Sequence, residues 1–187
     1  MAIKTFTTGE VLTASDTNTY LANAGLVYIK EVALTGTAVN ITSCFSATYD
    51  SYQIVISNLS NTVGAVFLQY QLLSGTTPAA GANYTNSRLI FAPPAVSSAQ
   101  SVNQTVGNFI PMDTGKNSSI AIISQPFLTV FTTSYGQGNY GSGANNAFPE
   151  SFGSIHQVST SYDGIRLFPA ANSFSTGKAI VYGFRQA

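Results

Sequence analysis

The chain has 187 residues, of which 44% are hydrophobic and only 7% are charged, with seven basic and seven acidic side chains. This length is enough for one domain with a hydrophobic core, or for one domain with a small appendage. Because the surface carries little charge of either sign, it lacks the long-range attraction that nucleic acids and anionic membranes require, and we expect neither as a partner. A charge-poor surface also does little to prevent self-association, and it suits a protein that works inside an assembly.

The single cysteine, Cys44, excludes an intramolecular disulfide framework and a thiolate-rich metal site. The first residues do not have the composition of a signal peptide, and no segment approaches the roughly 18–20 continuous apolar residues of a membrane span. We therefore expect synthesis in a cytoplasm without export, and no membrane insertion.

The N-terminal residues predict an extended arm that leads into one short helix. Residues 5–12 have an extended pattern, and Thr13 is a good N-cap with Asp16 three residues later, as in a capping box. The helix is predicted over 14–24, and Gly25 is a suitable stop. A helix of about ten residues is not stable alone, so it must pack on its own domain, on sister subunits or on a docking protein.

From Leu26 onward the sequence predicts strands separated by turn residues. Apolar and polar residues alternate with period two in several segments, most clearly in 51–57 and 64–73. The predicted strands are 26–34, 38–41, 51–57, 64–73, 88–91, 104–110, 119–124, 128–133, 148–157, 165–168 and 178–184. Turn chemistry separates them, at 74–75, 163–164 and 176–177 among other places. This pattern predicts an all-β protein with a β-sandwich or jelly-roll head over 26–187, preceded by the arm and helix of 1–25.

Two segments of the head predict long exposed loops. Residues 133–147 hold four glycines and three asparagines, and residues 78–87 form the second segment. Long loops in a compact β domain are often binding loops, and tyrosine with amide side chains suits the recognition of sugars or of protein neighbours. The candidate residues for contact with a receptor or with lattice neighbours are Tyr84, Tyr135, Asn139, Tyr140, Asn145 and Asn146.

The sequence does not assemble a recognisable catalytic, cofactor or metal motif. The only histidine is His156, and the chain has no Gly-x-Ser-x-Gly motif whose serine it could activate as a general base. We expect His156 at the surface or at a subunit contact. A polysaccharide-cleaving pair of carboxylates would have to combine Glu150 with a turn aspartate such as Asp163. Asp113 is expected in a tight turn rather than at a calcium site. We predict no catalytic residue, no cofactor and no metal.

The segment Phe6-Thr7-Thr8-Gly9-Glu10-Val11-Leu12-Thr13-Ala14-Ser15-Asp16-Thr17-Asn18-Thr19-Tyr20-Leu21 resembles the opening of many tailed-bacteriophage virion proteins. In that opening a Phe, a Gly-Glu/Asp-Val-Leu-Thr-Ala and an Asp-x-Asn precede a short helix. The final residues, 163–184, are similar to the closing hairpin of phage fibre and decoration proteins, and 49–59 have the same character.

The resemblance implies a phage structural protein without enzymatic activity, made in the host cytoplasm and incorporated into the virion as a homotrimer. The arm would dock on other virion proteins, and its docking residues would be Phe6, Val11, Leu12, Tyr20 and Leu21. The absence of a long shaft between arm and head favours a short tail fibre or appendage that attaches to the host surface, with a surface glycan as a candidate receptor. A capsid decoration or cement protein is the alternative, and a polysaccharide depolymerase is a third hypothesis.

Overall fold

The computed structural model describes residues 7–11, 13, 25–92, 95–115, 117–141 and 147–184, and within these ranges the chain is all-β with no helix. The all-β prediction is therefore confirmed. The helix predicted over 14–24 lies outside the described residues. Of the predicted docking residues, Phe6, Leu12, Tyr20 and Leu21 also lie outside them, and only Val11 is described, with its side chain exposed.

Thirteen strands form the described part of the head. They are β1 (Leu26–Ala33), β2 (Val39–Ile41), β3 (Ser51–Asn61), β4 (Val66–Ser74), β5 (Thr77–Pro78), β6 (Tyr84–Ala92), β7 (Ala95–Gln104), β8 (Gly107–Met112), β9 (Asn117–Ser124), β10 (Thr132–Gly141), β11 (Ala147–His156), β12 (Gly164–Pro169) and β13 (Phe174–Phe184).

The strands form two antiparallel sheets that enclose one core. The larger sheet has eight strands in the order β1-β13-β3-β9-β10-β11-β6-β7. The smaller sheet has the order β2-β12-β4-β5, and β8 pairs with β4. Consecutive side chains of a strand point to opposite faces of the sheet, so the alternation in β3 sends Tyr52, Ile54 and Ile56 into the core.

Aromatic rings and one hydroxyl pair join the two sheets. Tyr70 of β4 stacks on Phe109 with ring centroids 4.7 Å apart, and Phe109 contacts Phe152 of β11 at 5.2 Å. The hydroxyls of Tyr70 and Ser134 lie 2.9 Å apart, which links β4 to β10 through a hydrogen bond. The core therefore contains polar groups that are paired across the space between the sheets.

The prediction of a long loop over 133–147 is wrong for the described residues 133–141 and 147, which belong to strands, whereas 142–146 lie outside the described residues. Residues 132–141 form β10, which pairs with β9 on one side and β11 on the other. Gly136 and Gly138 face inward, where a Cβ at Gly138 would lie 2.6 Å from the side chain of Ile110. The glycines that suggest a loop are therefore required by close packing inside a strand.

Several other boundaries differ from the sequence-based expectation. The second predicted loop, 78–87, reduces to 79–83, because Tyr84 already begins β6. The strand expected over 128–133 begins only at Thr132. Thr176 and Gly177 lie at an irregularity inside β13 rather than in a turn between strands. The part of β7 before Gln104 is not predicted by the sequence, because its side chains are mostly exposed and give no apolar alternation.

The register places the start of β1 and the β10–β11 connection at opposite ends of the larger sheet. Leu26 pairs with Phe184, and Tyr28 lies in one row with Tyr182, Gln53, Ile122 and Tyr135. Gly141 is six residues beyond Tyr135 in the direction away from Leu26, which is about 20 Å along the strand. We call these the β1 end and the hairpin end of the head.

Candidate functional site: the outer face of the eight-stranded sheet

The outer face is the surface of β3, β9, β10, β11 and β6 that points away from the smaller sheet. One row across these strands consists of Val55, Ile120, Gln137, Ser151 and Leu89. The next row consists of Gln53, Ile122, Tyr135, Gly153 and Ser87. The outer face is made of these ten residues together with Asn139, Phe91 and Ile155 beside them.

The outer face exposes several large apolar side chains, whereas a solvent-facing sheet surface usually carries polar ones. Tyr135 is 59% exposed and Ile120 is 49% exposed, and both lie near the centre of the sheet. Leu89, Phe91 and Ile155 are exposed as well. Exposed apolar side chains concentrated on one face of a sheet make that face a candidate interaction site.

No charged side chain lies on the outer face of the described strands β3, β9, β10, β11, β6 and β7. The ionisable residues of these strands are Arg88, Glu150 and His156. By the alternation of side chains along a strand, all three lie on the inner face of the sheet. The guanidinium of Arg88 lies over the ring of Phe67, 4.6 Å from its centroid, on the side of the smaller sheet. The outer face thus combines apolar groups with hydroxyls and amides only, as the cores of protein interfaces do.

Tyr135 stands between two open hollows of the outer face. One, of about 490 Å³, lies beside Ile120, Ile122 and Gln137. The other, of about 350 Å³, lies beside Ile155 and Gly153. Gly153 is the neighbour of Tyr135 in the register with β11, and its lack of a side chain leaves the ring free on that side. The Tyr135 ring therefore projects between two hollows, and side chains of a second surface could occupy these hollows.

The structure brings only part of the predicted contact set to the surface. Tyr135 and Asn139 are exposed on β10, as expected for contact residues. Tyr140 ends the same strand but its side chain is not described, and Asn145 and Asn146 lie outside the described residues.

Tyr84 is a correction to that set, because it is fully buried. Its hydroxyl accepts a hydrogen bond from the backbone N–H of Leu72 at 3.0 Å, and burial raises its pKa. A tyrosine close to asparagines in sequence is typical of a loop, and this local context is misleading here. Its polar end is satisfied inside the core, so it supports the sheet and does not contact a partner.

The outer face also contains residues that sequence analysis did not single out, chiefly Ile120, Ile122, Leu89 and Phe91. The signal was present: 120–123 and 89–91 are continuous apolar runs rather than alternating ones. Such runs are typical of strands that are buried on both faces. In this antiparallel sheet the second face is the exposed outer face, so these runs place apolar side chains such as Ile120 and Leu89 on the surface.

Glu150 lies between the two sheets with its side chain fully buried. Its nearest charged group is Arg88, whose Nη1 is 3.9 Å from Oε1, and neither carboxylate oxygen has a hydrogen-bond partner among the described residues. Burial raises the pKa of the Glu150 carboxyl to about 7, and Arg88 acts in the opposite direction. Asp163 is at the β1 end, where it accepts a hydrogen bond from Gly75. The structure therefore does not bring Glu150 and Asp163 together as a carboxylate pair.

His156 is buried, which corrects the expectation of a surface or contact position. Its ring packs between Tyr84, with centroids 4.4 Å apart, and Tyr162, at 5.3 Å. Neither ring nitrogen has a partner among the described residues, and burial lowers its pKa. Cys44 is likewise buried, and burial raises the pKa of its thiol to about 12, so the reactive thiolate is not formed near neutral pH.

Within the described ranges, no group of three or more His, Cys, Asp or Glu residues is placed to hold a metal ion. In the same part of the chain there is no helix with the length and apolarity to cross a membrane. Comparison of the chain with protein-family models, curated proteins and solved structures found no match.

Proposed function

We propose that this chain is a bacteriophage virion structural protein without catalytic activity. Residues 1–25 anchor it to other virion proteins, and the β-sandwich head projects from the particle as part of a homotrimer that attaches to the host surface. The resemblance of residues 6–21 to the opening of phage virion proteins supports this proposal. The arrangement of the head supports it independently.

The opposition of the two ends of the head is the observation on which the proposal chiefly rests. The chain passes from the arm into β1 at Leu26, and the β10–β11 connection lies at the other end of the same sheet. A head attached through its β1 end would therefore present its hairpin end to the exterior. Asn139 and Tyr140 belong to that end, and Asn145 and Asn146 lie in the connection between its strands. Amide and phenol groups suit contacts with the hydroxyls of a surface glycan.

Deletion of residues 1–25 tests the anchor. The first strand begins at Leu26, and all described core residues lie after it, so the truncated head keeps its core. We expect a folded head that no longer joins the particle when it is supplied in place of the complete chain during phage growth. A folded truncation that is incorporated at the normal level would contradict the anchor.

A capsid decoration protein is the second candidate, and the uncharged outer face is the observation that favours it. A decoration protein contacts lattice neighbours, and an apolar face without charges is suited to lasting protein contact. Inhibition of phage adsorption by the purified chain separates the two. The attachment function predicts that the protein competes with phage for the host surface, whereas a decoration protein leaves adsorption unchanged and its loss lowers particle stability.

A further inference from the structure

We propose that the outer face of the eight-stranded sheet is covered by other copies of this same chain. The inference deepens the self-association in the proposed function by naming the surface involved, and it rests on that self-association but not on the location in a virion. Three properties of the described residues lead to it: the area of the face, its charge, and the unprotected strand beside it.

The area of the face matches what a stable subunit contact requires. Its five strands, spaced by about 4.8 Å, span about 24 Å, and eight residues of strand span about 27 Å. The product is about 650 Å², which lies within the roughly 600–1,000 Å² that each partner buries in a stable interface of standard size. The exposed side chains of Ile120 and Tyr135 lie inside this area, and Leu89 lies on its last strand, β6.

The chemistry of the face fits a copy of itself. Because no described residue on the outer face carries a charge, the face offers nothing that would attract or orient a charged partner. A partner surface must itself be uncharged and partly apolar, so that no charge is desolvated without a counter-charge. This chain, with 7% charged residues, carries such a surface on every copy.

The edge strand next to the face, β7, also supports contact with another copy of the chain. β7 runs from Ala95 to Gln104 without a proline, a lysine or any other charged residue, and no described strand pairs with its outer side. Edge strands of monomeric proteins are protected by such residues, because unpaired N–H and C=O groups recruit other strands. The opposite edge shows this protection: β1 carries Lys30 and Glu31 and a register shift after Tyr28. The outer face thus continues into the edge that lacks protection.

The test is the oligomeric state of the purified full-length chain and of a matched pair of variants. Tyr135→Lys places a charge at the centre of the outer face, and Val63→Lys places one in the turn between β3 and β4. The two side chains are 59% and 60% exposed, so neither substitution removes core packing in the isolated chain. Sedimentation velocity should show an oligomer for the complete chain and for Val63→Lys, and a shift toward monomer of at least about tenfold in dissociation constant for Tyr135→Lys.

Thiol labelling provides a measurement that does not depend on a disruptive substitution. Because Cys44 is buried, a cysteine introduced by Gln137→Cys or by Val63→Cys is the reactive thiol of each variant. We expect maleimide to modify the cysteine at position 137 at least tenfold more slowly than the one at position 63, with the difference lost on dilution to monomer.

A monomeric full-length chain, an oligomer unaffected by Tyr135→Lys, or equal labelling at the two positions would each overturn the inference. Protection of position 137 only after addition of a host glycan would also overturn it, and would assign the face to that ligand. Each of these results leaves the anchor to be decided by the incorporation of the truncated chain, so failure of one proposal is distinguishable from failure of the other.

Discussion

The buried carboxyl of Glu150 makes the stability of the head depend on pH. Because burial raises its pKa from the usual 4.5 to about 7, the folded state holds a proton that the unfolded state releases between these pH values. Folding therefore binds protons in this range, and the contribution of Glu150 to stability falls as the pH rises from 4.5 to 7. His156 acts in the opposite sense, since its lowered pKa means that stability is lost as the pH falls below 6.5.

The two opposing effects are separated by Glu150→Gln, which keeps the shape of the side chain and removes its titration. We take the unfolding free energy of the variant minus that of the unmodified chain. This difference should rise by on the order of 3 kcal/mol from pH 4.5 to pH 8, because only the unmodified chain loses stability as Glu150 ionises. Urea unfolding at a series of pH values measures this difference. A difference between the two proteins that is the same at every pH would show that Glu150 does not titrate in this range.

Inward glycines of β10 are a second determinant at the residue scale. A Cβ at Gly136 would collide with the carbonyl oxygen of Ile120 and lie 2.6 Å from the ring of Phe152. Gly136→Ala should therefore lower the unfolding free energy by about 1–3 kcal/mol, the usual cost of overpacking. Gly81→Ala is the control, because the close group there is the end of the flexible Asn83 side chain. Equal unfolding midpoints for the two variants in urea would refute the packing argument.

At the scale of elements, the two sheets are joined by a buried hydrogen bond as well as by apolar packing. The hydroxyl of Tyr70 on β4 lies 2.9 Å from that of Ser134 on β10, and both residues are buried. Tyr70→Phe leaves the serine hydroxyl without this partner, so we expect a loss of about 1–3 kcal/mol in unfolding free energy. Tyr28→Phe on β1, where the ring is 61% exposed, should change the midpoint little. Thermal or urea unfolding of both variants decides whether the bond joins the sheets.

The elements also show what the sequence can predict. β3, β4, β12 and β13 are predictable because apolar residues of these strands alternate, and the alternation reflects one buried face. β10 is less predictable, because its described inward side chains are those of glycine, serine and threonine, which produce no hydrophobic period. β7 cannot be predicted from the alternation of apolar residues, because an exposed edge strand buries almost no side chains on either face.

The candidate site is predictable in part for the same reason. Tyr135 and Asn139 are identified from residue type alone, whereas the contribution of Ile120 and Leu89 depends on the pairing of five strands that are distant in sequence. The burial of Tyr84 depends on a backbone N–H from another strand, that of Leu72, which no local pattern reveals. The sequence therefore indicates the fold class and some of the surface aromatics, but not the face that they share.

At the scale of the whole molecule, the head has three separate regions. β1 begins at one end of the head, Asn139 lies toward the hairpin end, and the described outer face between them lacks charge. This division is consistent with an anchored subunit that packs against its own copies and presents one end outward.

Antibody-gold electron microscopy on the phage particle decides whether this chain is one of its structural components. We expect gold on intact, purified virions, concentrated at the tail or collar if the head attaches to the host. Label spread over the capsid faces would favour the decoration function and make the outer face a lattice contact. Virions that carry no label, while the same antibody binds the free protein in the lysate, would show that the chain is not a virion component.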